Sequence, residues 1–449
     1  MKKTDIPVNR NQIIQLEINS LNTQGQGVGR YSDFAIFVPF ALKGEVVKAI
    51  IIKVYKNYAV AKLLEIISES ADRVEPKCKH FKKCGGCMLQ HLDQDGQADF
   101  KRQQVSDAFK RIAKIDVDVK FEKAEKVWNY RNKASFPVRD NPAKFGYFAV
   151  HSHNLIEIEQ CPIQSDEVTK LAQACIDFFN KNNIPGYNEL ENKGIIRHIV
   201  IRTNTEGEIM LIIVAKTEFK LKEKFVQEIL AGFPAVKSIM LNINTKNNNV
   251  IMSNKFKTIF GQNHILQDIN GLTFEISANS FLQVNIEQTE RLYSKAIELA
   301  QLTSEDNVID AYCGVGTISL LAAQNAKKVI GIENVEQAID NAKKNYVRNK
   351  IDNVEFICND AEEEIEQQLS KNNIDAIFLD PPRKGCEKRF IEAILKSDIK
   401  KVVYISCDPA TLARDCSILS EKYSIKECIA YDMFPQTSHV ETVCVLESV

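Results

Sequence analysis

The chain of 449 residues has almost no net charge and no long apolar run. Its 58 Lys and Arg residues balance 59 Asp and Glu residues, which leaves a formal charge of −1 and excludes a protein that holds nucleic acid by bulk positive charge. No stretch approaches the about 18 consecutive apolar residues that a membrane span needs, and Met1–Pro7 is polar and basic with no apolar run behind it. We therefore expect no signal peptide, no membrane partner and a cytoplasmic location, and we expect a monomer.

The length and the changes in residue pattern along the chain predict about three domains. Between residues 10 and 66, short runs alternate apolar and polar positions between glycine-containing turns, a pattern typical of a small all-β barrel. Residues 1–67 carry nine Lys and Arg residues against five acids, with aromatic residues between them, which favours RNA binding as much as it favours an ordinary solvated surface. Four aromatic residues stand in this segment: Tyr31, Phe34, Tyr55 and Tyr58. We predict a barrel over 1–67, an α+β middle domain over 68–265 and a catalytic domain over 266–449.

The last third of the chain alternates apolar runs with helical segments. Five such β/α repeats, followed by two closely spaced apolar runs, predict a doubly wound and mostly parallel α/β sheet. The last two strands have no room for a crossover helix, so we expect one of them to run antiparallel. A helix over about 95–115 could pack on this domain.

The predicted strands end in residues that suit a nucleoside ligand. The first strand leads into Asp310–Thr317, which contains Gly314 and Gly316; Glu333 follows the second strand and Asp360 the third. Ligands of open α/β sheets bind at these carboxyl ends. The loop lacks the third glycine of the dinucleotide fingerprint, so a pyrophosphate is not favoured. The layout resembles that of class I S-adenosylmethionine-dependent methyltransferases, which implies S-adenosylmethionine as the cofactor.

Cys407 stands between the fifth strand and a helix that Asp408 and Pro409 are expected to start. The positive end of a helix lowers the pKa of a thiol, so we predict a reactive thiolate here; a buried structural cysteine is the alternative. Methylation of uracil at carbon 5 needs such a thiolate to add to carbon 6, and it needs a carboxylate to remove the carbon-5 proton afterwards. Cys407 and Glu441 supply these two groups.

Four blocks of sequence together resemble the bacterial RNA (uracil-5-)-methyltransferase family, 23S ribosomal RNA type. They are Phe281–Asn285, Asp380–Arg383, Ser406–Asp415 and His439–Glu441. The barrel is similar to the TRAM domain of that family. The resemblance implies that Cys407 is the nucleophile and Glu441 the proton acceptor. It implies six contacts to the cofactor: Gln283, Tyr312, Thr317, Glu333, Asp360 and Asp380.

This resemblance implies methyl transfer to carbon 5 of a uridine in RNA. The barrel and a cysteine cluster described below favour 23S ribosomal RNA, and a transfer RNA T-loop uridine is the alternative substrate because relatives share the same core motifs. Two other functions compete with it. An amino-group methyltransferase carries an aromatic residue where this chain has Arg383, and it has no use for Cys407. A non-catalytic RNA-binding protein would tolerate loss of Cys407.

A cluster of cysteines lies within the predicted middle domain. Cys78, Cys84 and Cys87, with Cys161 further on, offer four thiolates, which suit zinc or an iron–sulfur cluster. The spacing Cys-x5-Cys-x2-Cys differs from the Cys-x3-Cys-x2-Cys of radical S-adenosylmethionine enzymes, which counts against radical chemistry. It resembles the iron–sulfur members of the same family and implies a structural [4Fe-4S] cluster. We expect the nearby His80 and His91 to lie on the surface.

A basic stretch from Val119 to Tyr147 is the predicted RNA-recognition region, together with the barrel. A base inside folded RNA must be flipped out to react, and unstacked bases commonly lie on aromatic side chains. The stretch has seven basic residues: Lys120, Lys123, Lys126, Arg131, Lys133, Arg139 and Lys144. Five of its six aromatic residues belong to the prediction, namely Trp128, Tyr130, Phe136, Phe145 and Tyr147, while the sixth, Phe121, is not part of it. We predict that both sets contact RNA.

Overall fold

The structure is a computed structural model that describes residues 6–150 and 152–449. These residues form two compact units. One contains the described residues up to Gln104, with the short stretches near Ala149 and from Phe434 to His439; the other contains the rest. Lys2, Lys3 and Asp5, three of the charges counted for residues 1–67, lie outside the described residues. No helix of the described ranges is long and apolar enough to cross a membrane.

The first unit begins with a closed five-stranded barrel, as predicted. Alternate residues of its first strand, Ile14, Leu16 and Ile18, point into the barrel core and are at most 5% exposed. The strand order is β1-β2-β3-β5-β4. The bounds are β1 Ile13–Leu21, β2 Gly27–Tyr31, β3 Phe34–Val38, β4 Val46–Val54 and β5 Tyr58–Ser68.

A loop that carries the cysteine cluster connects the barrel to the helix α1 (Gln94–Ala108). His91 in this loop is fully buried, which corrects the expectation that it lies on the surface. Its ring packs against Phe81, with ring centroids 5.2 Å apart, and burial is the main reason that its pKa is lowered to about 3. Leu89 and Leu92 of the same loop belong to a small buried apolar cluster, so this segment folds inward.

The second unit contains a seven-stranded sheet in the order β13-β12-β11-β10-β7-β8-β9. Its strands are β7 Lys133–Arg139, β8 Lys144–Phe148, β9 Leu155–Glu157, β10 Ile196–Thr203, β11 Ile209–Ala215, β12 Val236–Ile243 and β13 Phe256–Gly261. Two helices, α2 (Asp166–Lys181) and α3 (Lys222–Gly232), pack their apolar residues into its core. Phe136 and Phe145 pack edge-to-face in this core and are at most 2% exposed, so the prediction that they contact RNA is wrong.

A short hairpin, β14 (His264–Ile269) and β15 (Leu272–Ser277), leads to an eight-stranded sheet in the order β18-β17-β16-β19-β20-β22-β21-β6. Its strands are β6 Val119–Glu122, β16 Asn307–Ala311, β17 Lys328–Glu333, β18 Val354–Cys358, β19 Ala376–Leu379, β20 Lys401–Ser406, β21 Tyr423–Tyr431 and β22 Glu441–Ser448. The helices are α4 Ile286–Ala300, α5 Thr317–Ala323, α6 Glu336–Arg348, α7 Ala361–Lys371, α8 Lys388–Lys396 and α9 Pro409–Leu419. The strand β22 runs antiparallel to both neighbours, which confirms the predicted mixed α/β sheet.

The edge strand β6 was not predicted as part of this sheet. It pairs in parallel with β21 through the register pair Val119 and Cys428, although the two lie far apart in sequence. Just before it, Val105 and Phe109 are buried in the core of the same sheet, and α1 continues into a π-helical turn over Phe109–Ala113. The end of α1 and the segment after it therefore pack with the C-terminal eight-stranded sheet rather than with the seven-stranded sheet.

Candidate active site

The loop after β16 makes a sharp turn that brings backbone N–H groups to the end of the sheet. Tyr312, Gly314 and Gly316 all have positive φ values, 65°, 55° and 80°. At Gly316 a Cβ atom would lie 2.8 Å from the ring of Phe356, so glycine is required there for conformation and for space. The turn lets α5 begin at Thr317, which is buried beside the loop.

Two acidic side chains at the ends of β17 and β18 are held in place by backbone donors. The carboxylate of Glu333 accepts hydrogen bonds from the N–H groups of Gly314 at 3.2 Å and Val335 at 2.9 Å. Asp360 caps α7 by accepting from the N–H of Glu362 at 3.1 Å, and hydrogen bonding to this residue lowers the pKa of Asp360. Both acids therefore stand at the edge where the sequence analysis expected a nucleoside.

Cys407 lies between β20 and α9, as predicted. Asp408 caps the helix by accepting from the N–H groups of Ala410 and Thr411, at 2.9 and 3.1 Å. The pKa of the Cys407 thiol, however, is raised to about 11, first by burial and then by the carboxylates of Glu441 and Asp380. The expectation of a lowered pKa is wrong because burial and nearby negative charges outweigh the helix terminus.

Two buried carboxylates, Glu441 and Asp380, act on this thiol, and a third, Asp310, is coupled to Asp380. Glu441 is 2% exposed, and burial together with Asp380 raises its pKa well above the ordinary value, while Arg383 opposes the shift. Burial raises the pKa of Asp380 to about 7. Asp310 is fully buried with a pKa raised to about 7, first by burial, although Ser319 donates a hydrogen bond to it at 2.5 Å.

Tyr293 is a residue of this site that the sequence analysis missed. It lies buried on α4, and its pKa is raised by burial and then by Asp380, Glu441 and Asp310, so its hydroxyl is within electrostatic range of all three acids. In the sequence it is one apolar-face residue of an amphipathic helix, and nothing in that pattern separates it from a core aromatic. Arg383 was used only to identify a motif, yet it is the cation that acts on both Cys407 and Glu441.

The loop that precedes α4 carries Gln283, which is 7% exposed. The backbone carbonyl of Gln283 accepts a hydrogen bond from the side chain of Asn132 at 3.0 Å. Asn285 caps α4 and also donates from its side chain to the carbonyl of Met433 at 3.3 Å. These contacts hold the predicted Gln283 next to the helix that bears Tyr293.

The loop with Asp380 and Arg383 is tied to the helix that follows Cys407. The buried carboxylate of Asp415 accepts hydrogen bonds from the N–H of Cys386 at 2.9 Å and from the hydroxyl of Tyr404 at 2.7 Å. Arg414 on the same helix donates to the carbonyls of Lys384 and Cys386. The helix α9 thus fixes both the thiol and the carboxylate loop.

The charge of this site fits a cationic ligand. Asp380 and Glu333 raise the pKa of Asp310 by repulsion, and Asp380 does the same to Glu441. A sulfonium ion would relieve this repulsion, and the N–H donors beside Glu333 leave that acid oriented for ribose hydroxyls. The donor set is therefore consistent with S-adenosylmethionine.

The four cysteines of the predicted cluster are divided between the two units. Cys78, Cys84 and Cys87 belong to the first unit and Cys161 to the second. The N–H of Gly86 donates to the sulfur of Cys84 at 3.4 Å, and the pKa of Cys84 is raised, first by burial and in part by Cys78. Within residues 6–150 and 152–449, no group of three or more His, Cys, Asp or Glu side chains is placed to hold a metal ion.

The barrel carries a small aromatic stack at the turn between β4 and β5. The rings of Tyr55 and Tyr58 stack with centroids 4.5 Å apart, Phe37 lies 5.0 Å from Tyr58, and the ammonium group of Lys53 lies 4.8 Å from the ring of Tyr55. The other two aromatic residues of the prediction, at positions 31 and 34, pack against the barrel core. Half of the predicted aromatic set therefore forms a surface suited to stacking.

Comparison with known proteins identifies the family. The profile of the tRNA (Uracil-5-)-methyltransferase family matches residues 93–449, which is most of the chain. The chain belongs to this family. The TRAM domain profile matches residues 7–64, the barrel. The protein is an S-adenosylmethionine-dependent RNA (uracil-5-)-methyltransferase.

Similar proteins extend over the whole chain. An uncharacterized RNA methyltransferase of Clostridium acetobutylicum is 44% identical over 454 residues, and these cover 99% of each chain. One of Halalkalibacterium halodurans is 42% identical over 456 residues, covering 100% of this chain and 99% of the other. The crystal structure of the Pyrococcus abyssi tRNA (uracil-54, C5)-methyltransferase with S-adenosyl-L-homocysteine is 27% identical, with a TM-score of 0.78 over 96% of this chain and 100% of that one.

Proposed function

We propose that the protein methylates carbon 5 of a uridine in 23S ribosomal RNA through a covalent bond between Cys407 and carbon 6 of the uracil. The observation that carries this proposal is the group of Cys407, Glu441 and Asp380 at adjoining strand ends, close enough for each carboxylate to raise the pKa of the thiol. A thiol and a buried carboxylate in one site are what this reaction requires.

The steps follow from the two side chains. The half-buried thiol of Cys407 gives its proton to solvent water. The thiolate then forms a bond to carbon 6, so that the electrons of the 5,6 double bond move onto carbon 5 and the carbonyl oxygen at position 4. When bound, S-adenosylmethionine supplies an electrophilic methyl group. Glu441 then accepts the proton of carbon 5, the double bond re-forms and the carbon–sulfur bond breaks. Its raised pKa makes the Glu441 carboxylate a stronger base for this step.

Six residues would hold the cofactor in this proposal. Glu333 would bind the ribose hydroxyls, and Asp380 would also orient the edge of the uracil. Support comes from the N–H donors that fix Glu333 and from the unrelieved repulsion between Asp310 and its acidic neighbours. The other contacts are Gln283, Tyr312, Thr317 and Asp360.

Trapping with RNA that contains 5-fluorouridine tests the covalent step. The fluorine at carbon 5 cannot leave as a proton does, so the adduct persists after methyl transfer and can be located by mass spectrometry of the linked peptide. We expect it on Cys407, none with Cys407→Ala, and normal adduct with Cys358→Ala, which changes an exposed cysteine on the same sheet. An adduct on another residue, or active Cys407→Ala protein, contradicts the mechanism.

Replacement of the proposed base separates the two halves of the reaction. Glu441→Gln keeps the shape of the side chain but cannot accept the carbon-5 proton. We expect this variant to accumulate a covalent complex with ordinary uridine RNA, seen as a shifted band on a denaturing gel, while release of 5-methyluridine falls by about 100-fold or more. Full turnover by this variant would show that another group removes the proton.

The substrate is tested by mapping 5-methyluridine in a deletion strain. The proposal of 23S ribosomal RNA rests on the barrel and the cysteine pattern, because the core motifs themselves are shared by relatives that act on other RNAs. The similar Pyrococcus abyssi enzyme is named as acting on tRNA, which makes a transfer RNA uridine the second candidate. Loss of 5-methyluridine from 23S ribosomal RNA, restored by the wild-type chain and not by Cys407→Ala, supports the first; loss from transfer RNA supports the second.

We also propose a structural [4Fe-4S] cluster on Cys78, Cys84, Cys87 and Cys161. The spacing supports it, and the side chains as placed do not, because the described residues contain no assembled ligand group. The reaction above needs no electron and does not depend on the cluster. Anaerobically purified protein should contain iron and acid-labile sulfide in equal amounts with a broad visible absorption, both lost in Cys84→Ser and kept in Cys358→Ser. Zinc, or no metal, would refute it.

A further inference from the structure

Most basic residues of the stretch from Lys120 to Lys144 form ion pairs within the protein. Four of the seven have an acidic partner: Lys120 with Glu427, Lys126 with Glu287, Arg139 with Glu189 and Lys144 with Glu157. Their positive charge is balanced before any RNA arrives. Arg131 and Lys133 differ, because no carboxylate of residues 6–150 and 152–449 lies within ion-pair distance of either.

Lys133 faces a third cation across the sheet. It is the register partner of Arg202 where β7 pairs with β10, so the two side chains lie on the same face. Arg202 is 3% exposed; its Nε atom has no hydrogen-bond partner, and one Nη atom donates to the carbonyl of Ser280. Burial is the main cause that lowers the pKa of Lys133 to about 8, and the guanidinium groups of Arg202 and Arg131 add to it.

Such a group of cations is unfavourable in the free protein. Burial without a counter-ion costs free energy, and like charges at short range add to that cost. A purely structural lysine at position 133 would be expected to have a carboxylate beside it, as Lys144 has in the same sheet. The arrangement is instead suited to an anion that comes from outside the chain.

The position of the cations identifies that anion. Asn132, between Arg131 and Lys133, donates from its side chain to the carbonyl of Gln283 at 3.0 Å, and its N–H donates to the carbonyl of Val284 at 2.9 Å. With the bond from Arg202 to Ser280, these contacts bind the cations to the loop that leads into α4 and Tyr293. An anion held here lies beside the loop of the active site, where the backbone of a flipped nucleotide has to pass.

We propose that Arg131, Lys133 and Arg202 form a binding site for a backbone phosphate next to the uridine that is methylated. This inference rests on the proposed RNA substrate, and it names a contact that the family resemblance does not supply. Arginine and lysine suit phosphate oxygens, and each phosphate contact contributes to the salt dependence of binding. The carboxylate of the cofactor is the other anion available to such a site, and the test separates the two.

The test replaces Lys133 by Met, which keeps the length of the side chain and removes the charge. The probe is an unmodified transcript of 23S ribosomal RNA, and Lys257→Met is the control with the same change on the same sheet, at a lysine that pairs with Glu218. Lys133→Met should bind the transcript about tenfold or more weakly, and the slope of log affinity against log salt should fall by about 0.7–0.9. Lys257→Met should change neither, and the affinity for S-adenosylhomocysteine should be the same in all three proteins.

Thermal unfolding separates a phosphate-binding role of Lys133 from a structural one, because the two roles predict opposite changes in the melting temperature. Removing an unpaired buried cation should leave the melting temperature of Lys133→Met equal to or higher than that of the wild type, whereas loss of a structural lysine would lower it. Arg131→Met is a second variant, at another half-buried position, and should repeat the loss of RNA affinity. If both variants keep the wild-type slope of log affinity against log salt, the phosphate site is refuted. A loss of S-adenosylhomocysteine affinity would assign the cations to the cofactor instead. Failure of the wild type to methylate any RNA refutes the proposed function itself.

Discussion

The raised pKa of the Cys407 thiol makes a quantitative prediction about its reactivity in the free protein. With a pKa of about 11, about one thiol in 1,000 is ionised at pH 8, against about one in ten for a cysteine at the ordinary value of 9.0. Since the thiolate is the reactive form, alkylation of Cys407 at pH 8 should be about 100-fold slower than that of an ordinary exposed cysteine. The rate should also rise tenfold for each pH unit up to pH 10, without a plateau.

The assay is alkylation by iodoacetamide, followed by peptide mass spectrometry over a range of pH. Cys358, exposed at the end of β18, serves as the reference thiol in the same sample. Replacing Asp380, which is ionised above about pH 7, by Asn removes one of the charges that raise the pKa of the thiol. Asp380→Asn should therefore speed up alkylation of Cys407 at pH 8 and leave Cys358 unchanged.

Two outcomes would refute this reasoning. If Cys407 is alkylated faster than Cys358 at pH 8, the helix terminus dominates and the thiol is activated before substrate binds. If the rate of Cys407 levels off near pH 8 or 9, the carboxylates do not act on it. The first outcome would restore the expectation of a thiol with a lowered pKa, and the second would show a thiol with an ordinary pKa.

Two further predictions concern the scaffold of the site. Asp415→Ala removes the hydrogen-bond acceptor for Cys386 and Tyr404 and should lower the free energy of unfolding in urea by about 3–5 kcal/mol. It should also reduce kcat, because the loop with the active-site carboxylates loosens. Unchanged stability would show that these bonds contribute little. Gly316→Ala should lower the free energy of unfolding by about 2–4 kcal/mol, since it combines a positive φ with a clash. Gly207→Ala, at nearly the same φ but in open space, isolates the conformational part; an equal loss in both variants would show that the clash is absent.

The parts of the fold that could be predicted are those with a strong local signal. Strands such as β16 and β20 are buried on both faces and therefore appear as continuous apolar runs, and the barrel strands alternate because one face of each is buried. The start of α9 was predictable from Asp408 and Pro409, because a cap and a proline act within one turn.

The parts that could not be predicted depend on distant residues. The strand β6 has four residues, two of them charged, and it becomes a strand only because β21 offers an unpaired edge. Phe136 and Phe145 were expected to contact RNA because they stand among basic residues, but their strands are covered by helices on the side they face. The pKa of Cys407 was misjudged because the acids that raise it come from other strands.

The near-zero net charge of the chain conceals two groups of unbalanced charge within the second unit. Asp380 repels both Glu441 and Asp310, while Lys133 and Arg202 face each other without a carboxylate among the described residues. Each group destabilises the free protein, and each has the charge opposite to that of one of the two substrates, a sulfonium ion and the phosphodiester backbone of RNA. Binding of both ligands would therefore relieve the repulsion within both groups. Single-charge replacements should then stabilise the free protein and weaken binding of only one ligand, so that the two effects can be measured separately.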